Sequence, residues 1–241
     1  TPELLAHILI SKYADHQPLY RQNIIYQRSG VNIPDATMAD WVGRCGVALE
    51  PLVSRLHELL LSEPILHADE TPVSIMKNHV KVGGKSLKKG YVWAYLTPQH
   101  SSLKAVVYDF AESRRNEHPK AFLDKWHGKL VCDDYSGYKF LFHQGVTEIG
   151  CLAHARRKFH ELHITGQSIV SIEALTLFRQ LYAVEREIDE RFEKNTPPIP
   201  RDPQIVRQIR QEKAKPIADK LHQWLQEKRQ LTTKNASISK A

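Results

Sequence analysis

The middle of the chain alternates between strand-like and helical runs, and this order constrains the fold more than any other feature of the sequence. Three strand-like runs, 65–76, 91–97 and 103–110, are rich in Val, Ile and Tyr and are separated by turn residues. Two further strand-like runs, 129–132 and 146–149, each follow a helical segment. The order predicts an α/β fold whose sheet contains a three-stranded antiparallel meander, parallel additional strands and flanking helices.

Helical patterns lie on both sides of this core and divide the sequence into three parts. Residues 1–62 repeat apolar residues at every third or fourth position. Their short helices followed by a long one resemble a helix-turn-helix, but a helical lead-in packed on the next domain is an equal alternative, because the segment has no net positive charge. Charges of alternating sign in 166–241 are typical of solvated helices. We predict an N-terminal helical region (1–62), an α/β core (63–165) and a helical insertion module (166–241).

Positive charge is concentrated in the strand-containing part. The 241 residues carry a net charge of +7, and residues 63–160 contain 15 Lys and Arg against 10 Asp and Glu. A basic surface around acidic residues suits a polyanionic substrate. The three cysteines are widely spaced and odd in number, so they indicate no disulfide framework. Without a membrane-length apolar run or a signal peptide, the sequence predicts a soluble, cytoplasmic protein.

Acidic residues lie within one apolar strand-like run and directly after another. Asp69 lies in the first run, and Asp133 directly follows the fourth. Desolvating a carboxylate costs several kcal/mol, so a buried Asp69 needs a cation or a hydrogen-bond network. Because alternate strand residues share a face, Asp69 and Glu70 point to opposite faces. If the two strands are neighbours, Asp69 and Asp133 can direct oxygens toward common Mg²⁺ ions, as metal-dependent phosphoryl transfer requires.

Several motifs together resemble the insertion-sequence-66 family of bacterial DDE transposases. They are His67-Ala68-Asp69-Glu70-Thr71, Cys132-Asp133-Asp134-Tyr135-Ser136-Gly137-Tyr138, Cys151-Leu152-Ala153-His154-Ala155-Arg156-Arg157-Lys158-Phe159, and the upstream Ser11-Lys12-Tyr13 and Pro18-Leu19-Tyr20-Arg21-Gln22. The resemblance spans nearly the whole chain in the family's order and approximate spacing. It implies an RNase H-like catalytic core in which Asp69 and Asp133, as the first two acidic residues of a triad, bind Mg²⁺ or Mn²⁺.

The resemblance also implies an activity and partners. The activity is metal-dependent phosphodiester hydrolysis and strand transfer of an insertion sequence. The implied partner is double-stranded DNA, both element ends and target, bound by a homo-oligomer, with no membrane and with a nucleoid-associated location in the cytoplasm. Two alternatives stay open. One is a non-catalytic DNA-binding remnant of a transposase, and the other is an RNase H-like nuclease that cleaves DNA without joining it.

The sequence departs from the family pattern in two respects. Asp134 stands where the family commonly has Gly. The third acidic residue, a Glu in a downstream helix marked by an Asp-Asn-Asn…Glu-Arg pattern, is not found, and we assign no glutamate of 166–241 to that role. We therefore expect that the chain ends before the triad is complete, that N-terminal DNA-binding elements are missing, and that this form is an incomplete catalyst.

Five basic residues are candidates for phosphate contacts. Given the family motif, we expect at least one of Arg156, Arg157 and Lys158 to contact DNA, although a solvated helix face is the alternative. Lys88 and Lys89 end a basic, glycine-containing connection that is either a solvated hairpin tip or a flexible loop on a phosphate backbone.

His154 belongs to the third motif and is a candidate neighbour of the scissile phosphate. A zinc site of Cys151 and His154 with Cys132 or His118 is the weaker alternative, and two buried thiols with a hydrogen-bonded histidine are the favoured one. Cys151 and His154 are three apart and share a helix face, but no second paired motif supplies a tetrahedral ligand set.

Overall fold

A five-stranded sheet organises the fold. The computed structural model of the chain describes residues 1–76, 87–166, 168–193 and 199–231. The strands lie in the order β3-β2-β1-β4-β5. They are β1 (Ile65–Met76), β2 (Leu87–Leu96), β3 (Val106–Ala111), β4 (Lys129–Cys132) and β5 (Thr147–Gly150). A mixed sheet with flanking helices confirms the predicted α/β class.

Helices precede, interrupt and follow the sheet. They are α1 (Pro2–Tyr13), α2 (Leu19–Arg28), α3 (Asp35–Leu61), α4 (Glu117–Phe122), α5 (Lys139–His143), α6 (Leu152–Gly166), α7 (Ile169–Glu193), α8 (Pro203–Ile209) and α9 (Lys215–Leu231), with a 3-10 turn at Ser136–Tyr138 and a π-helical turn at Arg210–Ala214. Local chemistry fixes the start of α8. Asp202 caps α8 by accepting a 2.8 Å hydrogen bond from the N–H of Gln204, and Pro203 occupies the first helical position, where no N–H donor is needed.

The first three strands form the predicted antiparallel meander. Glu70 of β1 lies opposite Trp93 of β2, and Trp93 lies opposite Asp109 of β3. β4 pairs in parallel with the other edge of β1. Several strand boundaries differ from the prediction, and the largest difference is at β2, which begins at Leu87, so Lys88 and Lys89 belong to a strand and not to a loop. The remainder of the basic connection, 77–86, lies outside the described residues.

Only one face of the meander is buried. Trp93 and Tyr95 of β2 are fully buried together with Leu66 of β1. Phe122 of α4 stacks on Tyr95 with ring centres 3.7 Å apart. Its carbonyl oxygen lies 2.9 Å from Nε2 of His57 in α3. Burying these large rings supplies much of the hydrophobic stabilisation of the meander, at roughly 25 cal/mol per Å² of apolar area.

The opposite face of the meander is exposed to solvent. Tyr108 and Phe110 of β3 are 65% and 57% exposed. Asp69 of β1 lies on this face, because alternate residues of a strand share a side.

Packing divides the chain into two units. The first comprises Thr1–Val131 and Tyr135–Glu148, and the second comprises Cys132–Asp134 and Ile149–Ala241. The three-part division predicted from the sequence stays a prediction.

The second unit has its own hydrophobic core. Phe159 of α6, Phe178 of α7 and Leu221 of α9 are buried in one cluster. Among the described residues, none of the helices combines the length and apolar character needed to cross a bilayer.

Candidate active site

The acidic pair in β1 splits between the two faces of the sheet. Asp69 is exposed, and its carboxylate accepts a 2.9 Å hydrogen bond from the main-chain N–H of Glu70. The side chain of Glu70 is only 2% exposed. The predicted opposite orientation is confirmed, but the carboxylate that needs a buried partner is Glu70 and not Asp69.

Glu70 has hydrogen-bond donors on both carboxylate oxygens. Nε of Arg114 donates to Oε1 at 2.7 Å, and the same guanidinium also bonds Oε1 through Nη2. The hydroxyl of Tyr138 donates to Oε2 at 3.0 Å. Opposite charge and complete hydrogen bonding offset the cost of removing this carboxylate from water.

Tyr135 completes a group that we name the Glu70 cluster: Glu70, Arg114, Tyr135 and Tyr138. The guanidinium carbon of Arg114 lies 3.9 Å from the centre of the Tyr135 ring, a cation–π geometry, and the Tyr135 hydroxyl donates to the main-chain oxygen of Arg114. The two tyrosine rings meet edge to face at 5.7 Å. The cluster therefore joins the first acidic motif to the second.

Sequence reasoning missed the Glu70 cluster. Arg114 is 44 positions from Glu70, and Tyr138 is 68 positions away. Strand alternation indicates that Glu70 faces the core, but it does not identify a partner. The sequence offered one further clue. A buried carboxylate requires a cation, and Arg114 is a basic residue shortly after the end of β3.

The parallel pairing of β1 and β4 ends with His67 opposite Val131. Asp69 follows His67 by two residues, and Asp133 follows Val131 by two residues. Asp133 is half-buried, whereas Asp134 is exposed. Burial lowers the pKa of His67, which favours its neutral imidazole.

His154 is half-buried in α6, as is Cys151 immediately before that helix. Within the second unit, the N–H of Cys151 donates a 2.9 Å hydrogen bond to the carbonyl oxygen of Cys132. In the described ranges, Cys151 and His154 do not belong to any group of three metal-ligating side chains. The structure therefore gives no support to the zinc alternative.

The glutamates of α7 take part in helix packing. Glu173 pairs with Lys228 at 2.8 Å and accepts a 2.9 Å hydrogen bond from the indole of Trp224, and these partners lower its pKa. Glu185 accepts two hydrogen bonds from Arg210, at 2.9 and 2.7 Å.

The basic residues proposed as DNA contacts lie on two elements. Lys88 of β2 pairs with Glu112 at 2.5 Å, whereas Lys89 is exposed opposite Ser74. The hydrogen bond and charge of Lys88 lower the pKa of Glu112.

The three consecutive basic residues of α6 do not share one helix face, because successive positions differ by about 100°. All three are exposed. Arg156 lines a groove of about 620 Å³ between α6 and α7, and Arg157 and Lys158 do not. We name this cavity the α6–α7 groove. Its lining residues are Arg156, His160, His163, Leu175, Arg179, Tyr182 and Arg186.

Comparison with known proteins places the chain in a family. Residues 1–241 match the family described as transposase IS66 family. Three curated relatives come from Sinorhizobium fredii (strain NBRC 101917 / NGR234). Protein y4hP is 28% identical over 98% of this chain and 44% of its own length, y4qI is 33% identical over 78% and 36%, and y4jD is 34% identical over 78% and 38%. The chain spans less than half the length of these relatives. Because the family match covers every residue, the chain belongs to the IS66 family of transposases.

Proposed function

We propose that this chain carries the RNase H-like core of a transposase that hydrolyses and joins DNA strands with Mg²⁺ or Mn²⁺. The supporting observation is the register of β1 and β4, in which His67 lies opposite Val131. Asp69 and Asp133 each follow that pair by two residues, so strand alternation, continued one residue past the end of β4 at Cys132, would give both carboxylates the same face. In a transposase family, two such carboxylates are natural ligands for a catalytic divalent cation.

The chemistry of the donor set fits a divalent cation. Asp69 is exposed and Asp133 is half-buried, and both carry the hard oxygen donors that Mg²⁺ and Mn²⁺ prefer. Glu70 is unsuitable as a ligand because both of its oxygens are already bonded. When bound, Mg²⁺ activates the attacking oxygen and stabilises the charge on the leaving oxygen.

The residues of the chain supply positioning. The Glu70 cluster fixes β1 against residues 135–138, which directly follow Asp133 and Asp134. Side chains held by a second layer of hydrogen bonds keep metal ligands in a productive orientation. Basic side chains of α6 and β2 hold the phosphate backbone, which sets the position of the strand without reading its sequence.

The test combines metal binding with DNA processing by the intact gene product that contains residues 1–241. Mn²⁺ binding is measured by calorimetry, and nicking and joining are measured on DNA that carries the ends of its own element. We expect Asp69→Asn and Asp133→Asn each to weaken Mn²⁺ binding by about tenfold or more and to abolish both DNA reactions. Asp134→Asn is the matched control and should preserve binding and activity.

The outcomes separate the three functional hypotheses. Retention of full nicking and joining by Asp69→Asn refutes the metal-dependent assignment. Cleavage without joining by the unaltered protein favours an RNase H-like nuclease. DNA binding without cleavage, at saturating Mn²⁺, favours a non-catalytic remnant.

A further inference from the structure

We propose that the α6–α7 groove binds the phosphodiester backbone of DNA and that Arg179 and Arg186 of α7 are among its contacts. This inference rests on the proposed DNA-processing function and adds a helix that sequence analysis had assigned to a solvated module. Its basis is the arrangement of charge on the two helices, both within the second unit.

Helical spacing directs the polar lining residues into one groove. On α6, Arg156, His160 and His163 are separated by four and three residues. Arg179 and Arg186 of α7 are seven residues apart, or two helical turns. Residues at such spacings lie on one side of a helix. The two helices therefore present basic and imidazole side chains to a shared space of about 620 Å³.

Among the described residues, the guanidinium groups of the groove have no counter-charge. Across the same ranges, Arg156, Arg179 and Arg186 form no ion pair with an acidic residue, and no Asp or Glu lines the groove. Three unneutralised arginines in one concave surface create a positive potential that attracts an anion.

Three acidic residues of α7 are already paired with the chain that follows this helix. Glu185 pairs with Arg210, Glu187 with Lys213, and Asp189 with Arg201. None of these three carboxylates lines the groove, whereas Arg179 and Arg186 do.

The dimensions suit an extended polyanion. Arg179 and Arg186 are seven residues apart, which is roughly 10 Å along a helix. One DNA strand advances about 3.4 Å per nucleotide along its axis, so the two guanidiniums can contact phosphates roughly three nucleotides apart. Arginine also binds phosphate oxygens through paired hydrogen bonds. The groove therefore fits a DNA backbone better than it fits a small neutral molecule.

The experiment measures binding of a short fluorescent DNA duplex by anisotropy at salt concentrations between about 50 and 200 mM. The groove variant is Arg179→Gln with Arg186→Gln. The matched control is Arg207→Gln with Lys220→Gln, which removes the same charge from exposed positions of α8 and α9 outside the groove. We expect the groove variant to bind about tenfold more weakly or worse, and its logarithmic salt slope to be smaller by about 2. The control should change much less.

Two further measurements test whether the groove contacts the DNA backbone through the charge and the paired hydrogen bonds of its arginines. Duplexes of unrelated sequence should lose affinity equally, because backbone contacts carry no base information. Arg179→Lys with Arg186→Lys preserves charge and should restore most of the salt slope while losing the paired hydrogen bonds. Circular dichroism checks that each variant is folded.

The results distinguish a failure of the groove proposal from a failure of the proposed transposase function. If the unaltered protein binds DNA and the groove variant binds equally well, or loses no more than the control, the groove is not the binding surface and the proposed function stands. If the unaltered protein does not bind DNA, both proposals are wrong.

Discussion

The hydroxyl of Tyr138 donates a 3.0 Å hydrogen bond to the buried carboxylate of Glu70, 68 positions earlier in the chain. Glu70 directly follows Asp69, and Tyr138 lies five residues after Asp133. The bond therefore connects the two acidic motifs through residues that are not themselves proposed metal ligands. Arg114 satisfies the other carboxylate oxygen. The two adjacent acidic residues of β1 therefore have different roles: Asp69 faces solvent, whereas Glu70 anchors the strand to Arg114 and Tyr138.

Replacing Tyr138 by Phe tests the strength of this connection. Tyr138→Phe should lower the free energy of unfolding by about 1–2 kcal/mol, because a buried carboxylate oxygen loses its donor. Chemical denaturation measures the change. Tyr108→Phe is the control, since Tyr108 is 65% exposed on the opposite face, and should change stability by less than about 0.5 kcal/mol. Equal losses in the two variants would contradict the assigned role of the hydroxyl.

Because Glu70 and Arg114 form an ion pair, the effects of replacing them on the free energy of unfolding should not be additive. Arg114→Ala should cost about 2–3 kcal/mol, less than a fully buried pair, because the arginine side chain is 42% exposed. Glu70→Gln combined with Arg114→Ala should be more stable than Arg114→Ala alone, since a neutral amide needs no counter-charge. Denaturant unfolding of the four proteins gives a coupling energy of about 1 kcal/mol or more. Simple addition of the two single effects would exclude a buried ion pair.

The local sequence pattern predicted the antiparallel meander and allowed β1 and β4 to be neighbours, because strand alternation and short connections are visible in neighbouring residues. It placed the start of β2 too late. Lys88 and Lys89 belong to a run rich in Gly and Lys, which disfavours strands locally, but cross-strand pairing with Ile75 and Ser74 extends β2 to include them. At the start of β2, hydrogen-bonded pairing with β1 therefore outweighed the low strand preference of the local sequence.

The partners of functional side chains were beyond sequence reasoning. Arg114 has no spacing relationship to Glu70, so only the folded chain brings them together. Arg179 and Arg186 sit in a helix whose mixed charges look solvated. Which charges pair with which neighbours, and which stay unneutralised, depends on the packing of α6, α8 and α9 around α7.

Gly137, in the second acidic motif, predicts a steric effect. A Cβ at this position would overlap the ring of Tyr135. That ring cannot move freely, because it stacks on Arg114 and bonds its carbonyl oxygen. Gly137→Ala should therefore cost about 1–3 kcal/mol in thermal or denaturant unfolding. Gly150→Ala, where a Cβ meets open space, should stay within about 0.5 kcal/mol. A stable Gly137→Ala protein would show that the Tyr135 ring is loosely held.

Asp109 lies opposite Trp93 in the sheet register, on the buried face of the meander. Burial raises the pKa of its carboxyl, and the nearby His118 and His57 oppose that rise without cancelling it. A raised pKa in the folded protein means that folding favours the protonated form. The stabilising contribution is therefore complete below the unfolded pKa of about 3.9 and is lost as the pH rises through the folded pKa.

Asp109→Asn imitates the protonated carboxyl and should remove this pH dependence. At pH 7 the variant should be more stable than the unaltered protein by less than about 1 kcal/mol, because solvent partly screens a half-exposed carboxylate. The difference should shrink as the pH falls and disappear below about pH 4. Denaturant unfolding at several pH values measures it. Glu112→Gln is the control of opposite sign, since its bond to Lys88 lowers the pKa of Glu112, and it should give no gain at pH 7. A loss of stability in Asp109→Asn at pH 7 would show that the two histidines, and not burial, dominate the environment of Asp109.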